Sequence, residues 1–224
     1  MEPFQIAREH PQKFNTLRKK DPEFLKGCDM ARKDFSGCKM DRINLSGLDM
    51  SGSSFAGAQL LKADLSACIL AGVNLGHVNC AGTRFLKTFF KETTALNSVF
   101  EGGDFEGASF QKCDLSNSLF IGANFNGSTL FNVTLVSCDL TGADFENANL
   151  TGSEIKDSDF SKTILVRANL SFASLTNVSF EGVLAKNFRY LNLSGASLRM
   201  VKPRFTPALL KRHKVQTDTF TKIV

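Results

Sequence analysis

The residues best suited to chemistry are scattered rather than gathered. Six cysteines and three histidines are spread through 224 residues, and no two cysteines stand in a C-x-x-C spacing. His10, His77 and His213 are too far apart to share a metal or activate a common nucleophile. No phosphate-binding loop, dinucleotide fingerprint or Ser/His/Asp arrangement occurs. The sequence therefore offers no catalytic, cofactor-binding or metal residue, and the expectation is a protein that is not an enzyme and takes no cofactor. Carboxylates are the one concentrated chemistry. Residues 101–160 hold 10 Asp/Glu against 2 Lys/Arg, whereas residues 161–224 hold 2 against 11. A net charge of +5 thus averages an acidic middle and a basic end. Whether the carboxylates form a surface depends on the elements that carry them.

Those elements repeat every five residues. Stepping by five from Leu25 to Phe180 visits 32 positions, of which 30 are Leu, Phe, Met or Ile; Cys80 and Ala95 are the exceptions. Two places before each centre, 28 of the 31 residues from Cys28 to Val178 are Ala, Ser, Thr, Cys, Val or Gly, with Lys33, Ile43 and Leu48 departing. One place before the centre, 15 of 31 are Asp or Asn. Neither a helix of period 3.6 nor a strand of period 2 stays in phase with five. The pattern needs one large and one small residue inward in each unit, with three facing water. Four units then close a square coil, and coils stack at the strand spacing of about 4.8 Å. Gly and Asn, frequent two places after the centre, suit corners that need left-handed backbone angles.

Residues 20 apart should stack on this scheme. Phe85, Phe105, Phe125 and Phe145 form one expected ladder, Phe100 and Phe120 a second, Phe160 and Phe180 a third. Asp104, Glu106, Asp144 and Glu146 fall on a single face with Asn124 and Asn126 between them, and this is the candidate partner-binding face. Ile69 and Phe89 point outward on another face, with Phe131 two coils further along. Five cysteines take the small inward position and Cys80 a centre, so all six are expected to be free, slow-reacting thiols in a reducing compartment. Lys202, Arg204, Lys211, Arg212 and Lys214 make the tail basic, but without interleaved aromatics or a reading helix they do not point to specific nucleic-acid recognition.

The motif of a small residue, Asp/Asn, Leu/Phe, a polar residue and Gly, as in Ala148-Asn149-Leu150-Thr151-Gly152, resembles the pentapeptide-repeat family. The resemblance implies an all-β chain folded as a right-handed quadrilateral β-helix over residues 25–200. Near 182–187 the register slips by three, since Phe188, Leu193 and Leu198 continue the repeat out of phase. Residues 1–24 lack the repeat and are expected to form an N-terminal cap. Residues 201–224 are expected to form a C-terminal cap with a short helix begun by Thr206 and Pro207. No apolar run reaches the length of a membrane span, and charges break every apolar stretch at the N-terminus, so a cytoplasmic protein is expected, and the family resemblance implies a bacterial one.

Function follows less closely. The first reading is a non-enzymatic protein–protein interaction scaffold that offers flat polar faces to a protein partner. The rival, which the resemblance supplies, is a DNA-mimicking topoisomerase-binding protein that engages DNA gyrase and gives quinolone or toxin resistance. The acidic segment favours the rival; the basic end and the lack of an inserted loop across residues 25–180 oppose it. A monomer and an end-to-end homodimer both fit, and export as an effector is a third possibility.

Overall fold

Each five-residue unit takes one backbone course in the computed structural model, which describes residues 2–21, 24–25, 28–199, 201, 206–212, 214–217 and 222–223. The centre is buried, the residue before it is paired to its neighbours 20 residues away, and the next two residues turn the corner. The centre's carbonyl accepts the N–H three residues on, as from Cys38 to Phe35 at 3.1 Å and from Ala143 to Leu140 at 3.0 Å. The third residue of that turn has a φ between +52° and +72° at all 31 corners from Arg32 to Gly182. Positive φ at this place favours Gly or Asn. Yet Lys, Arg, His and even Phe172 are found there as well. Phe172 is 68% exposed, and its ring lies over the next corner, where a Cβ on Gly195 would be 2.6 Å from it.

Strand pairing is parallel throughout and steps from coil to coil. One ladder runs Asp34, Ser54, Asn74, Thr94, Asp114, Thr134, Glu154, Ser174, Ser197 and Lys222. Nine steps at about 4.8 Å make a right-handed quadrilateral β-helix about 43 Å long. In chain order this first face is followed by a second with the Met40, Leu60 and Cys80 centres. A third carries Leu45, Leu65 and Phe85, and a fourth carries Met50, Leu70 and Phe90.

Phenylalanine fills the axis. Phe85, Phe105, Phe125 and Phe145 stack with centroids 4.8–4.9 Å apart and planes within 5°, and Phe100 stacks on Phe120 at 5.0 Å. A further stack joins Phe90 to Phe110 at 4.3 Å. Phe160 and Phe180 meet tilted by 52° rather than stacked, and Phe180 meets Phe188 edge-on at 6.0 Å. Ala95 is buried among the other three centres of its coil, Phe85, Phe90 and Phe100, while Leu115 takes the same place one coil on among Phe105, Phe110 and Phe120. The inward Ser and Thr residues have a second task. Thr83, Thr88, Thr93, Ser98, Ser118, Ser153 and Ser158 each donate to a carbonyl 23 residues earlier, at 2.5–2.9 Å. Buried carbonyls are thereby satisfied without widening the coil.

The N-terminal end covers the open coil. Helices α1 (Pro3–Glu9) and α2 (Pro11–Lys20) bury Ile6, Ala7 and Phe14, and Phe4 meets Phe35 edge-on at 5.1 Å. The α2 side chains pair with the first coil as a strand would. Asn15 donates to the Arg42 carbonyl and accepts from the Asn44 N–H, while Arg18 donates to the carbonyls of Asn44 and Ser46. Edge groups that would invite another chain are so used up. At the other end the three-residue insertion is taken up at a four-residue 3-10 turn, Ala185–Phe188, with Leu184 pushed outward. Helix α3 (Pro207–Arg212) sits within the last coil, because the chain returns to pair Gln216 with Asn192 and Lys222–Ile223 with Ser197–Leu198. Parallel pairing therefore continues beyond residue 200.

Candidate interaction face

The preference for Asp or Asn before each centre has a local cause. All 15 such residues between Asp29 and Asn169 accept, through Oδ1, the backbone N–H two residues on, and Asn192 does the same. This is the side-chain turn that Asp and Asn make readily. It pins the corner where a backbone N–H would otherwise face outward unpaired.

Asp104 and Asp144 belong to that set. Asp104 Oδ1 accepts from the Glu106 N–H at 3.3 Å and from Asn124 Nδ2 at 3.0 Å, and Asp144 Oδ1 accepts from the Glu146 N–H at 2.8 Å. One oxygen of each carboxylate is thus occupied by the fold, while Glu106 and Glu146 are surplus to the turn. All four carboxylates lie on the third face, Asp104 and Asp144 joined through Asn124 in one ladder. The two levels are about 9.6 Å apart at the strand spacing.

The acidity is wider than these four. Asp139 and Asp159 pair directly on the second face, with Glu101 two coils before Asp139, and Asp114 and Glu154 share a ladder on the first. The 20-residue spacing was sufficient to find the Asp139–Asp159 pair. Leu119 and Ile121, each over a third exposed, form an apolar spot on the second face beside the half-buried Val99. Gly82, Gly102, Gly122 and Gly142 take the left-handed place at four successive corners between the second and third faces. The fourth face differs from expectation at Phe89, which is half-buried between its ladder neighbours Ile69 and Ser109, whereas Ile69 and Phe131 are exposed.

Cysteine chemistry divides by position. Cys68, Cys80, Cys113 and Cys138 are buried, and burial pushes every one of their thiols up, Cys68 and Cys138 to about 11. Cys28 and Cys38 take the same inward position but lie at the N-terminal end, where the first coil has only the helical cap above it, and both are half-buried. All six thiols are free, and burial pushes those of Cys28 and Cys38 up as well, so it is access alone that sets these two apart from the buried four. Because reactivity needs access as well as the thiolate, a thiol reagent at neutral pH should label the half-buried Cys28 and Cys38 slowly and the other four only after denaturation, six equivalents in all. Four or more labelled natively would place the small position outward. His10 is exposed at the joint of α1 and α2, and His77 is exposed at a corner. His213, Lys202 and Arg204 lie outside the described residues. Among the described residues no group of three His, Cys, Asp or Glu is placed to hold a metal ion, and no helix is long and apolar enough to cross a membrane.

Four short parallel faces wound on an axis of stacked side chains define a β-solenoid. Residues 108–190 match the model of the pentapeptide repeat region, and residues 25–57 and 34–72 match that of pentapeptide repeats in eight copies, together more than half of the sequence. The chain belongs to the pentapeptide-repeat family. No curated protein matches it. Among solved structures, full-length QnrB1, a plasmid-mediated fluoroquinolone resistance protein, is similar at 16% identity over 85% of this chain and 93% of its own, with a TM-score of 0.45. HetL, involved in heterocyst differentiation regulation in the cyanobacterium Nostoc sp. strain PCC 7120, is similar at 19% identity over 86% and 81%, with a TM-score of 0.37. A pentapeptide repeat protein from the Arabidopsis thaliana thylakoid lumen is similar at 22% identity over 56% and 70%, with a TM-score of 0.27. These likenesses concern the fold.

Proposed function

We propose that the protein is a non-catalytic scaffold that binds a protein partner through the flat faces of its rod. The observation that carries this reading is where the polar side chains go. Inward hydroxyls are spent on buried carbonyls and the Asp/Asn oxygens on corner N–H groups, so what projects freely is a set of regularly spaced surface side chains. Rigid, evenly spaced surfaces lose little entropy on docking, which favours binding over chemistry. The face through Asp104, Glu106, Asp144 and Glu146 is the candidate for contact with a basic partner.

A second reading, a topoisomerase-binding mimic of duplex DNA, gains from the charge density. A net charge of −8 over residues 101–160, three coils long, is one charge per about 1.8 Å, against about 1.7 Å for duplex DNA. The charge is spread over three faces, as phosphates are spread around a duplex. The basic C-terminal end counts the other way, since it repels a cationic groove.

The two readings separate in a gyrase supercoiling assay, with and without a quinolone, at micromolar protein. The scaffold reading expects neither inhibition nor protection. A dose-dependent effect that fades with salt and is lost in Glu106→Lys/Glu146→Lys, with the β spectrum intact, would replace it with the mimic. For the scaffold itself, four variants, each reversing charge on one face, are compared in capturing a partner. Loss from one variant and retention by three marks the docking face, and equal capture by all four rejects the faces as the contact.

A further inference from the structure

Three cations converge on a single aromatic ring at the C-terminal end of the rod. Arg189 lies 5.1 Å from the centroid of Tyr190, Lys214 5.6 Å and Arg167 5.9 Å. Arg167, Tyr190 and Lys214 are the left-handed corner residues of three successive coils, with φ of +58°, +60° and +52°, so the backbone itself stacks them along one edge. Arg189, the residue before Tyr190, adds a guanidinium from the same coil and donates to the phenol oxygen at 3.4 Å. All four side chains are exposed.

Among the described residues no anion is set against these cations. The only ion pairs among the described residues are Arg84 with Asp64 and Lys156 with Asp157, so none of the three cations has a described carboxylate within 4 Å. Glu146, the nearest carboxylate in Arg189's own column, is two coils away with Val166 between them, about 9.6 Å at the strand spacing. The face of a π system attracts a cation, but one ring does not neutralise three. Their repulsion leaves a positive potential concentrated in a small area. The phenol accepts from Arg189 and keeps its own proton to give. Guanidinium forks, an ammonium and a hydroxyl within a few ångströms of one another form a donor set for a tetrahedral oxyanion.

We propose that Arg167, Arg189, Tyr190 and Lys214 form a binding site for a phosphoryl ligand bearing one or two adjacent phosphate groups. The cations surround the ring, so a nucleobase has no open stacking platform there of the kind single-stranded nucleic acid uses. Three charges within about 6 Å of one centroid also match a compact polyphosphate better than an extended strand. The site is separate from the acidic face and does not rest on the scaffold reading.

The chain supplies its own probe, because Tyr190 is the sole tyrosine and there is no tryptophan. The hydrogen bond from Arg189 and the charges of Arg189, Lys214 and Arg167 hold the phenol below its ordinary value. A bound phosphate would offset those charges and raise it again. The full chain is therefore titrated with inorganic pyrophosphate, inorganic phosphate, a single-stranded oligonucleotide, and sodium chloride at matched ionic strength, following tyrosine fluorescence and the phenolate absorbance against pH. The expected result is a saturable fluorescence change with pyrophosphate and a phenol titration that moves upward beyond the shift in chloride. Removing a charge-assisted contact should weaken this by about tenfold or more in Arg167→Gln/Lys214→Gln. If that variant loses its β spectrum, Arg189→Gln alone carries the same expectation. A chloride response equal to that of pyrophosphate means screening alone and overturns the site. A response to the oligonucleotide without one to pyrophosphate overturns the small ligand in favour of a nucleic acid.

Discussion

Replacing Phe105 with alanine is expected to cost about 3–5 kcal/mol, the range for buried aromatics. Phe105 is 1% exposed and touches six other rings. It stacks on Phe85 and Phe125 at 4.9 and 4.8 Å and meets Phe100 and Phe120 edge-on at 5.8 and 6.0 Å. Phe90 and Phe110 lie tilted at 6.4 and 5.6 Å. The coil cannot collapse onto the space left behind, because the parallel pairing above and below fixes the spacing of its walls. Gly103 shows how closely that space is fitted, since a Cβ there would lie 3.0 Å from the Phe105 ring and 3.0 Å from the Phe100 carbonyl. Phe131→Ala is the matched control. Its ring is exposed on the fourth face, and surface substitutions fall within about 0.5 kcal/mol. Urea unfolding followed by circular dichroism compares the two. Equal losses would mean that the five-residue register assigns the wrong side chains to the axis.

The register itself was readable because the centres are almost uniform in type and the period matches no other regular structure. Legibility falls where a residue's surroundings come from another coil. Phe89 has the outward place of its unit, yet its ladder neighbours on either side half-bury it. Cys28 and Cys38 have the inward place, but a coil at the end of a stack has a neighbour on one side only. Corners were legible where Gly or Asn stood and opaque at Arg42, Lys62, His77 and Phe172, which take positive φ because pairing on both sides holds the turn against their own preference. The carboxylates of the candidate face were placed by spacing alone. Their partial use by the turn was not, since an Asp that accepts a backbone N–H reads the same in sequence as one that is free. The cluster around Tyr190 was hidden for a different reason. Arg167 to Tyr190 is 23 residues and Tyr190 to Lys214 is 24, so the inserted 3-10 turn and α3 break the interval of 20 by which stacked residues are found.

Deleting Gly107 alone is expected to abolish folding, whereas deleting residues 101–120 as a block leaves a folded rod. The block is one whole coil. Its removal sets Phe85 beneath Phe125 and Phe90 beneath Leu130, with Ala95 meeting Leu135 and Phe100 meeting Leu140, so every downstream residue keeps its direction and the rod shortens by about 4.8 Å. A repeat array whose units contact only their neighbours tolerates such a loss. A single deletion moves every later residue one place against the coil before it, sending polar residues such as Asp144 toward the axis and the centres toward water. The natural insertion near Gly182 does not argue against this, because extra residues can be pushed outward, as Leu184 is at 58% exposure. A missing residue has no such outlet, and the short face must close a gap of about 3.3 Å that its neighbours hold open. Circular dichroism and gel filtration of the two variants decide the matter. A Gly107 deletion that keeps the β spectrum and unfolds cooperatively would show that the coil can slip its register, and burial of the centres would then not be what holds the rod in phase.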